Sequence, residues 1–313
     1  MMNSANGKPV ADVSVVIPFY NGHQFMQRAL DSVTRQTVLP RRVVVVDDGS
    51  QIPLQLVTSY QADGVEVVVI RHEQNRGIPA ARNTGIRAAE TEWIGFLDQD
   101  DEWARDKLER QMEYVRTRGR SGVAIFGSML VAERGRVTPR PAVSRWLATN
   151  PSGMELAERL LRQGNFVPWG TMLVHRAVFE SVGLLDESLR GGSDDYDFVL
   201  RAAVASQLVW GQTGQSAMLT RHEHEANYSR VDRFFADTTR ISSKWLLSSD
   251  PKLRAAARQA LGRQWFSLAR YFHRTGEFQE AVQGYGRSLV LGSAVIKSKA
   301  VAGAVLAVAH VRR

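Results

Sequence analysis

A chain of 313 residues has room for about two domains at roughly 150 residues each. With 44% hydrophobic and 23% charged residues its composition is ordinary for a globular protein and excludes wholesale disorder, while zero cysteines exclude a disulfide framework, a thiolate metal site and a cysteine nucleophile. Forty Lys and Arg against 32 Asp and Glu leave a formal charge of +8, but the basic residues are scattered, so charge alone does not select nucleic acid as a partner.

Along the chain, residues 1–8 carry no apolar signal core. No apolar run reaches the ~18 residues of a transmembrane helix, and a cytoplasmic protein is expected. Residues 13–17 are a β-branched run stopped by Pro18, and residues 23–35 read as a helix. Residues 43–46 are four consecutive valines, the pattern of a strand covered on both faces of a parallel sheet. Residues 53–62 predict a helix, 65–70 a strand, 78–89 a helix and 93–97 a fourth strand. This alternation predicts an α/β fold with an open, mostly parallel, Rossmann-like sheet and helices on both faces. In such sheets ligands sit beyond the carboxyl ends of the strands. Three of those ends are polar: Phe19-Tyr20-Asn21-Gly22, Asp47-Asp48-Gly49-Ser50 and Asp98-Gln99-Asp100-Asp101. The last puts three carboxylates in four positions, more than helix capping needs. They repel one another unless a cation or ligand joins them.

Further on, a helix is expected to about residue 117, an apolar run at 123–126, and an Arg- and Pro-containing excursion to about 151. A strand is expected at 172–174 and a helix at 195–205. Strand signals disappear near residue 230, dividing the chain into residues 1–229 and a helical region, 230–313. Ser249-Asp250-Pro251 reads as a helix start. Trp265, Leu268, Ala269, Phe272, Gly276, Ala281 and Tyr285 follow tetratricopeptide spacing, with Ala269 and Phe272 replacing its Gly and Tyr. One such unit should pack on neighbouring helices. Residues 300–309 are apolar but too short to span a bilayer, and lie between Lys297, Lys299 and Arg312-Arg313; a buried helix or a peripheral membrane contact fits.

Several segments occur in a telling order. They are Val15-Val16-Ile17-Pro18-Phe19-Tyr20-Asn21, Val46-Asp47-Asp48-Gly49-Ser50, Asn75-Arg76-Gly77 with Ala81-Arg82-Asn83-x-Gly85, and Phe96-Leu97-Asp98-Gln99-Asp100-Asp101. Gly183-Leu184-Leu185-Asp186-Glu187, Ser193-Asp194-Asp195 and Arg201 follow. Over residues 13 to about 229 the chain resembles the family 2 glycosyltransferases. The resemblance implies a GT-A nucleotide-diphospho-sugar transferase fold, here with a C-terminal helical extension. It implies inverting transfer from a nucleotide sugar, expected to be UDP-linked, to a hydroxyl of a glycan or lipid-linked acceptor in cell-envelope polysaccharide biosynthesis.

The resemblance also assigns roles. Asp100 would bind Mn2+ or Mg2+ directly, and Asp98 would meet the ribose, the donor sugar or the metal through water. Asp48 would accept from the base, with Tyr20 packing on its ring, Pro18 lining the pocket by its backbone and Arg82 near the nucleotide or its phosphates. Asp195 matches the family's catalytic aspartate. Asp194 stands where the family has Glu, one methylene shorter, so its acceptor contact would differ. In Arg221-His222-Glu223-His224-Glu225-Ala226-Asn227-Tyr228-Ser229 the order His-Glu-x-Asn-x-Ser selects His224 to complete the metal shell. His222 competes, because residues two apart in an extended segment share a face. Trp169 reads equally as a sugar-stacking acceptor contact and as a core residue.

These roles suit the chemistry. A departing diphosphate gains negative charge that an oxygen-ligated divalent cation neutralises. A hydroxyl acceptor needs a carboxylate to take its proton. Two other readings stand beside this one. A nucleotidyltransferase would show a Gly-rich basic loop after the first strand, which residues 19–22 are not. An inactive scaffold working through residues 230–313 would not need the intact carboxylate set. The expected setting is cytoplasmic, with peripheral contact at the inner face of the cell membrane and no nucleic-acid partner.

Overall fold

The computed structural model describes residues 2–3, 7–55, 65–119, 122–133, 136–139, 144–147, 149–211, 217–222 and 231–311. The strands are β1 (Met2–Asn3), β2 (Pro9–Phe19), β3 (Leu39–Asp47), β4 (Glu66–Arg71), β5 (Trp93–Phe96), β6 (Glu102–Trp103), β7 (Ala124–Phe126), β8 (Met129–Glu133), β9 (Arg136–Pro139), β10 (Leu173–His175), β11 (Leu208–Trp210) and β12 (Leu219–His222). The helices are α1 (His23–Thr34), α2 (Ile78–Ala88), α3 (Lys107–Arg118), α4 (Ser144–Leu147), α5 (Gly153–Gln163), α6 (Arg176–Val182), α7 (Asp194–Val204), α8 (Val231–Lys244), α9 (Pro251–Thr275), α10 (Phe278–Leu291) and α11 (Ala294–Val311).

The chain forms two compact units that interleave in sequence. The first comprises Met1–Gly153, Phe166–Ser188 and Asp194–Tyr228, and the second Met154–Asn165, Leu189–Ser193 and Ser229–Arg313. The first unit is built on a sheet ordered β11-β7-β10-β5-β2-β3-β4, with β1 paired to β2. Its centre is parallel: β2 pairs β3 and β5, and β3 pairs β4, all in the same direction. Among the main strands only β10 runs against its neighbours. The uninterrupted valines of β3 explain their own position, since Val43, Val44, Val45 and Val46 are all fully buried, as are Val15, Val16 and Ile17 beside them. On β4, at the edge, Val69 is 39% exposed. Helix α2 lies hard against the sheet: a Cβ at Gly85 would stand 2.3 Å from Val16 Cγ1.

Two local expectations change. The first long strand starts at Pro9, because β3 continues the pairing back to Leu39 and Pro40 past an irregularity between Ala11 and Ser14. Residues 53–55 are not helical; Leu54 N–H is instead held by Asp47 Oδ2 at 3.2 Å, and the rest of that expected helix lies outside the described residues. The excursion after residue 126 contributes β8 and β9 to a second sheet, ordered β6-β12-β8-β9.

Beneath β6 lies a buried lysine. The Lys107 ammonium stands 3.8 Å above the Trp103 ring and donates to Gln111 Oε1 at 2.7 Å. Burial without an ion pair pushes its pKa well down. The unfolded chain, where lysine keeps its ordinary value near 10.4, therefore binds a proton that the folded chain resists. Stability attributable to Lys107 rises with pH between its folded and ordinary values, by up to about 1.4 kcal/mol per pH unit. Urea unfolding of wild type and Lys107→Met at pH 7 and pH 9.5 should show wild type gaining on the variant as pH rises. A difference that does not change with pH would mean that Lys107 is charged in the fold.

In the second unit, α9 begins at Asp250, whose carboxylate accepts from Lys252 and Leu253 N–H at 2.7 and 3.0 Å, with Pro251 in the first turn. It ends at Gly276, φ +86°, and α10 follows as an αα-hairpin. Ala269, Ala281, Tyr285, Ala300 and Ala307 form the core of α9, α10 and α11, where small residues let the helices approach closely.

Candidate active site

The carboxyl ends of β2, β3, β4 and β5 are knitted together by polar contacts. Asn21, with φ +50°, gives its amide N–H to Ser50 Oγ at 3.0 Å, and its Oδ1 accepts from Gln51 N–H at 3.0 Å. Asp47 is a loop-closing residue: it accepts from Ser50 and Leu54 N–H and pairs with Arg71 at 2.5 Å. Burial would raise its carboxyl, but these hydrogen bonds hold it below the usual range. Gly49, φ +73°, brings this loop against the backbone of Gln74 and Asn75, where a Cβ would approach to 2.5 Å.

Asp48 is 3% exposed and its oxygens are shared among three donors. Arg76 N–H and Gly77 N–H donate to it at 2.9 and 2.8 Å, immediately before α2, and His72 Nδ1 lies 2.6 Å away. A carboxylate suits the positive end of a helix. His72 is tied by its other nitrogen to Thr84 Oγ1 at 2.9 Å. Tyr20 beside this loop is 45% exposed, and Pro18 is partly buried.

Asp98, Asp100 and Asp101 share one turn, closed by Asp101 N–H to Asp98 O at 3.1 Å. Gln99 turns its amide to Tyr20, accepting from its N–H at 2.9 Å and donating to its carbonyl at 3.3 Å. Arg28 of α1 donates to the Asp100 carbonyl at 2.8 Å. The Asp101 carboxyl is pushed well up, first by burial and then by the charges of Asp98 and Asp100, against the pull of Arg221 and the His222 N–H. The pairing of β12 with β6 brings His222 here: its N–H lies 3.3 Å from Asp101 Oδ1 and its Nε2 3.3 Å from Glu102 Oε2. His224 lies outside the described residues.

Arg82 links this turn to α7. Its guanidinium is 6% exposed, donates to Asp98 Oδ1 at 2.8 Å and to Asp194 Oδ2 at 2.7 Å, and lies 5.1 Å over the Trp169 ring. Burial would lower its pKa, but Asp194, Asp98 and Asp195 together raise it above the usual arginine value. Asp195, next along α7, is pushed up to about 7, chiefly by burial and then by Asp194, with Arg82 and the Tyr196 amide pulling down. A carboxyl that titrates near neutrality is poised for general base work. Trp169 is 5% exposed and stacks on Phe96 at 4.4 Å, so its ring belongs to the core; its buried indole nitrogen has no hydrogen-bond partner.

Asn83 and Arg201 fix residues 184–187. Asn83 exchanges hydrogen bonds with Leu185 N–H and C=O at 3.0 and 2.9 Å and donates to Glu187 at 3.0 Å. Arg201 donates to the Leu184 carbonyl at 2.9 Å and pairs with Asp197 at 2.8 Å. The structure thus joins Arg82, Asp98 and Asp194 directly, with Asp195 adjacent, and joins Tyr20 to the acid turn through Gln99. His72 is the site residue that the sequence patterns missed. It follows β4, and the rule that ligands gather at strand ends would have flagged it.

Among the described residues, no group of three or more His, Asp or Glu side chains is arranged to hold a metal ion. The chemistry of the acid turn nevertheless suits a hard cation. Burial and the charges of Asp98 and Asp100 raise the proton affinity of Asp101, and a divalent ion would relieve that crowding of charge.

The chain is similar in sequence and in fold to known proteins. The family model described as glycosyl transferase family 2 matches residues 14–183. A Bacillus subtilis (strain 168) protein described as a teichuronic acid biosynthesis glycosyltransferase, TuaG, is 32% identical over 131 residues, covering 42% of this chain and 51% of that one. The amylovoran biosynthesis glycosyltransferase AmsB of Erwinia amylovora is 26% identical over 253 residues, 77% of this chain and 78% of its own. The match to TuaG thus spans about half of that relative's length. Among solved structures, S. aureus TarS 1-349 in complex with UDP-GlcNAc superposes with a TM-score of 0.64 at 19% identity, over 94% of this chain and 88% of that one. The likeness is one of fold: a mixed α/β unit with a mostly parallel, GT-A-like sheet, followed by helices.

Proposed function

Since the chain belongs to glycosyl transferase family 2, we propose that this glycosyltransferase moves a sugar with inversion from a UDP-linked donor to a hydroxyl of a glycan or lipid-linked acceptor. The observation that carries the reading is the Arg82 bridge, which ties the acid turn through Asp98 to Asp194, next to the near-neutral Asp195. A UDP-linked donor is supported by the fold shared with TarS, which has been solved in complex with UDP-GlcNAc. A polysaccharide acceptor is supported by AmsB and TuaG, described by amylovoran and teichuronic acid biosynthesis.

In this reaction the acceptor oxygen attacks the anomeric carbon as its proton passes to Asp195, and the bond from that carbon to the diphosphate oxygen breaks on the opposite face. Tyr20 covers the base of the nucleotide, and Pro18 lines that pocket. Asp48, which ties the β3 end to the start of α2, accepts from the base beside it. Asp100, with Asp98 and a histidine of the 222–224 segment, would hold Mn2+ or Mg2+. Such an ion, when bound, neutralises the charge growing on the diphosphate. Arg82 keeps Asp98 and Asp194 in fixed relation, and Asp194 borders the acceptor.

Thermal unfolding with UDP, UDP-linked and other nucleotide sugars, each with Mn2+, Mg2+ or chelator, tests the donor. A UDP-sugar at a hundred times its Kd should add about 2.7 kcal/mol to stability. Chelator should weaken that gain, and Asp100→Ala should abolish its metal-dependent part. No shift with any UDP-linked donor would overturn the donor assignment; an equal shift with chelator would overturn the metal's role.

A further inference from the structure

The outer face of α11 has no place in the catalytic reading and does not depend on it. At about 100° per residue, Val295, Val301, Ala302, Val305, Leu306 and Ala309 fall on one side of this helix, with Ser298 as the one polar residue among them. Val295, Val301, Val305 and Leu306 are 52–64% exposed, while Ala300 and Ala307, on the other side, are fully buried in the unit's core. Both sides of this helix are therefore apolar, whereas a surface helix of a water-soluble fold keeps its outward side polar. Lys297 and Lys299, both exposed, fall at the two borders of the apolar strip. Between residues 281 and 313 there are five Lys and Arg and no Asp or Glu.

We propose that this face docks on an anionic lipid bilayer, with α11 lying in the plane of the headgroups. The apolar strip would enter the boundary between headgroups and acyl chains, about 5–10 Å deep. The two lysines would extend their ammonium groups from its edges to lipid phosphates. Charge decides between this surface and a second copy of the chain. Two copies paired through α11 would bring the lysine borders together with no carboxylate on the segment to answer them, whereas an anionic membrane answers both borders. Among the described residues no helix is long and apolar enough to cross a membrane, so the contact is peripheral.

Flotation of the full chain with phosphatidylcholine vesicles, and with vesicles containing one quarter phosphatidylglycerol, tests the proposal. Wild type should float with the anionic vesicles and much less with the neutral ones. Val305→Asp should weaken binding at least about tenfold, the worth of one buried apolar side chain. Lys297→Gln with Lys299→Gln should weaken binding to anionic vesicles about fivefold per lysine removed and leave the neutral background unchanged. Val137→Asp, at an exposed valine of β9 elsewhere, should bind as wild type does. Unchanged melting temperatures would show that the variants fold. Failure to float with anionic vesicles, or equal flotation by Val305→Asp, would overturn the proposal. So would a dimer in light scattering that Val305→Asp dissolves while vesicle binding is absent, which would make the face an interface between copies.

Discussion

Asp195→Asn should lower kcat by about 10^2- to 10^4-fold while donor affinity stays within about twofold of wild type. Asparagine keeps the shape of the side chain and removes only its ability to take a proton. The loss therefore falls on the step in which the acceptor hydroxyl attacks. The pH profile provides an independent check. A base must be deprotonated to work, and Asp195 is raised to about 7, so wild-type activity should climb from about pH 6, reach half its maximum near pH 7 and level off above about pH 8. In the variant that rising limb should vanish along with most of the rate. Release of the nucleoside diphosphate, followed from pH 5.5 to 8.5, reads both effects, and donor-dependent thermal shift reads binding. A variant with wild-type turnover would remove Asp195 as the base.

Arg82→Met should be the most destabilising single change at the site. The variant leaves Asp194, 1% exposed, and the partly exposed Asp98 without their shared cation. Removing one partner of a buried ion pair costs about 3–5 kcal/mol. In a chain of this size that corresponds to a fall in Tm on the order of 10 °C. Arg82→Lys should recover only part of the loss, because an ammonium is a point charge and cannot present two arms to two carboxylates. The remaining activity should also change its pH dependence. Arg82 pulls the Asp195 carboxyl down, so without it the rising limb should move to higher pH. Calorimetry and the same rate profile check these outcomes. A melting point for Arg82→Met within about 2 °C of wild type would mean that the paired geometry contributes little.

The sheet was legible where local pattern and burial agree. Four consecutive valines can only be comfortable covered on both sides, and residues 43–46 are. The acid turn was legible because three carboxylates in four positions exceed any capping need. The links between segments were not. Arg82 and Asp194 are 112 residues apart, and no periodicity connects them. The resemblance places Arg82 near the nucleotide or its phosphates, but its protein partners cannot be deduced from its neighbours in sequence. The short strands β8, β9 and β12 carry too few residues to show an alternation. Likewise, Met154–Asn165 and Leu189–Ser193 cluster with the C-terminal helices through tertiary contacts alone, such as Gly191 N–H to Asp237 at 2.5 Å and Arg263 to the Leu161 carbonyl at 3.0 Å.

Gln99 sits between two carboxylates yet spends both ends of its amide on the Tyr20 backbone, and Gly22 leaves no room there for another side chain, since a Cβ would lie 2.3 Å from Gln99 Nε2. Ordering these two loops is therefore charged to folding rather than to ligand capture, and an incoming donor loses little entropy in fixing them. The same tether couples the two loops, so the proposed packing of a nucleotide base on Tyr20 would also restrain the carboxylates opposite.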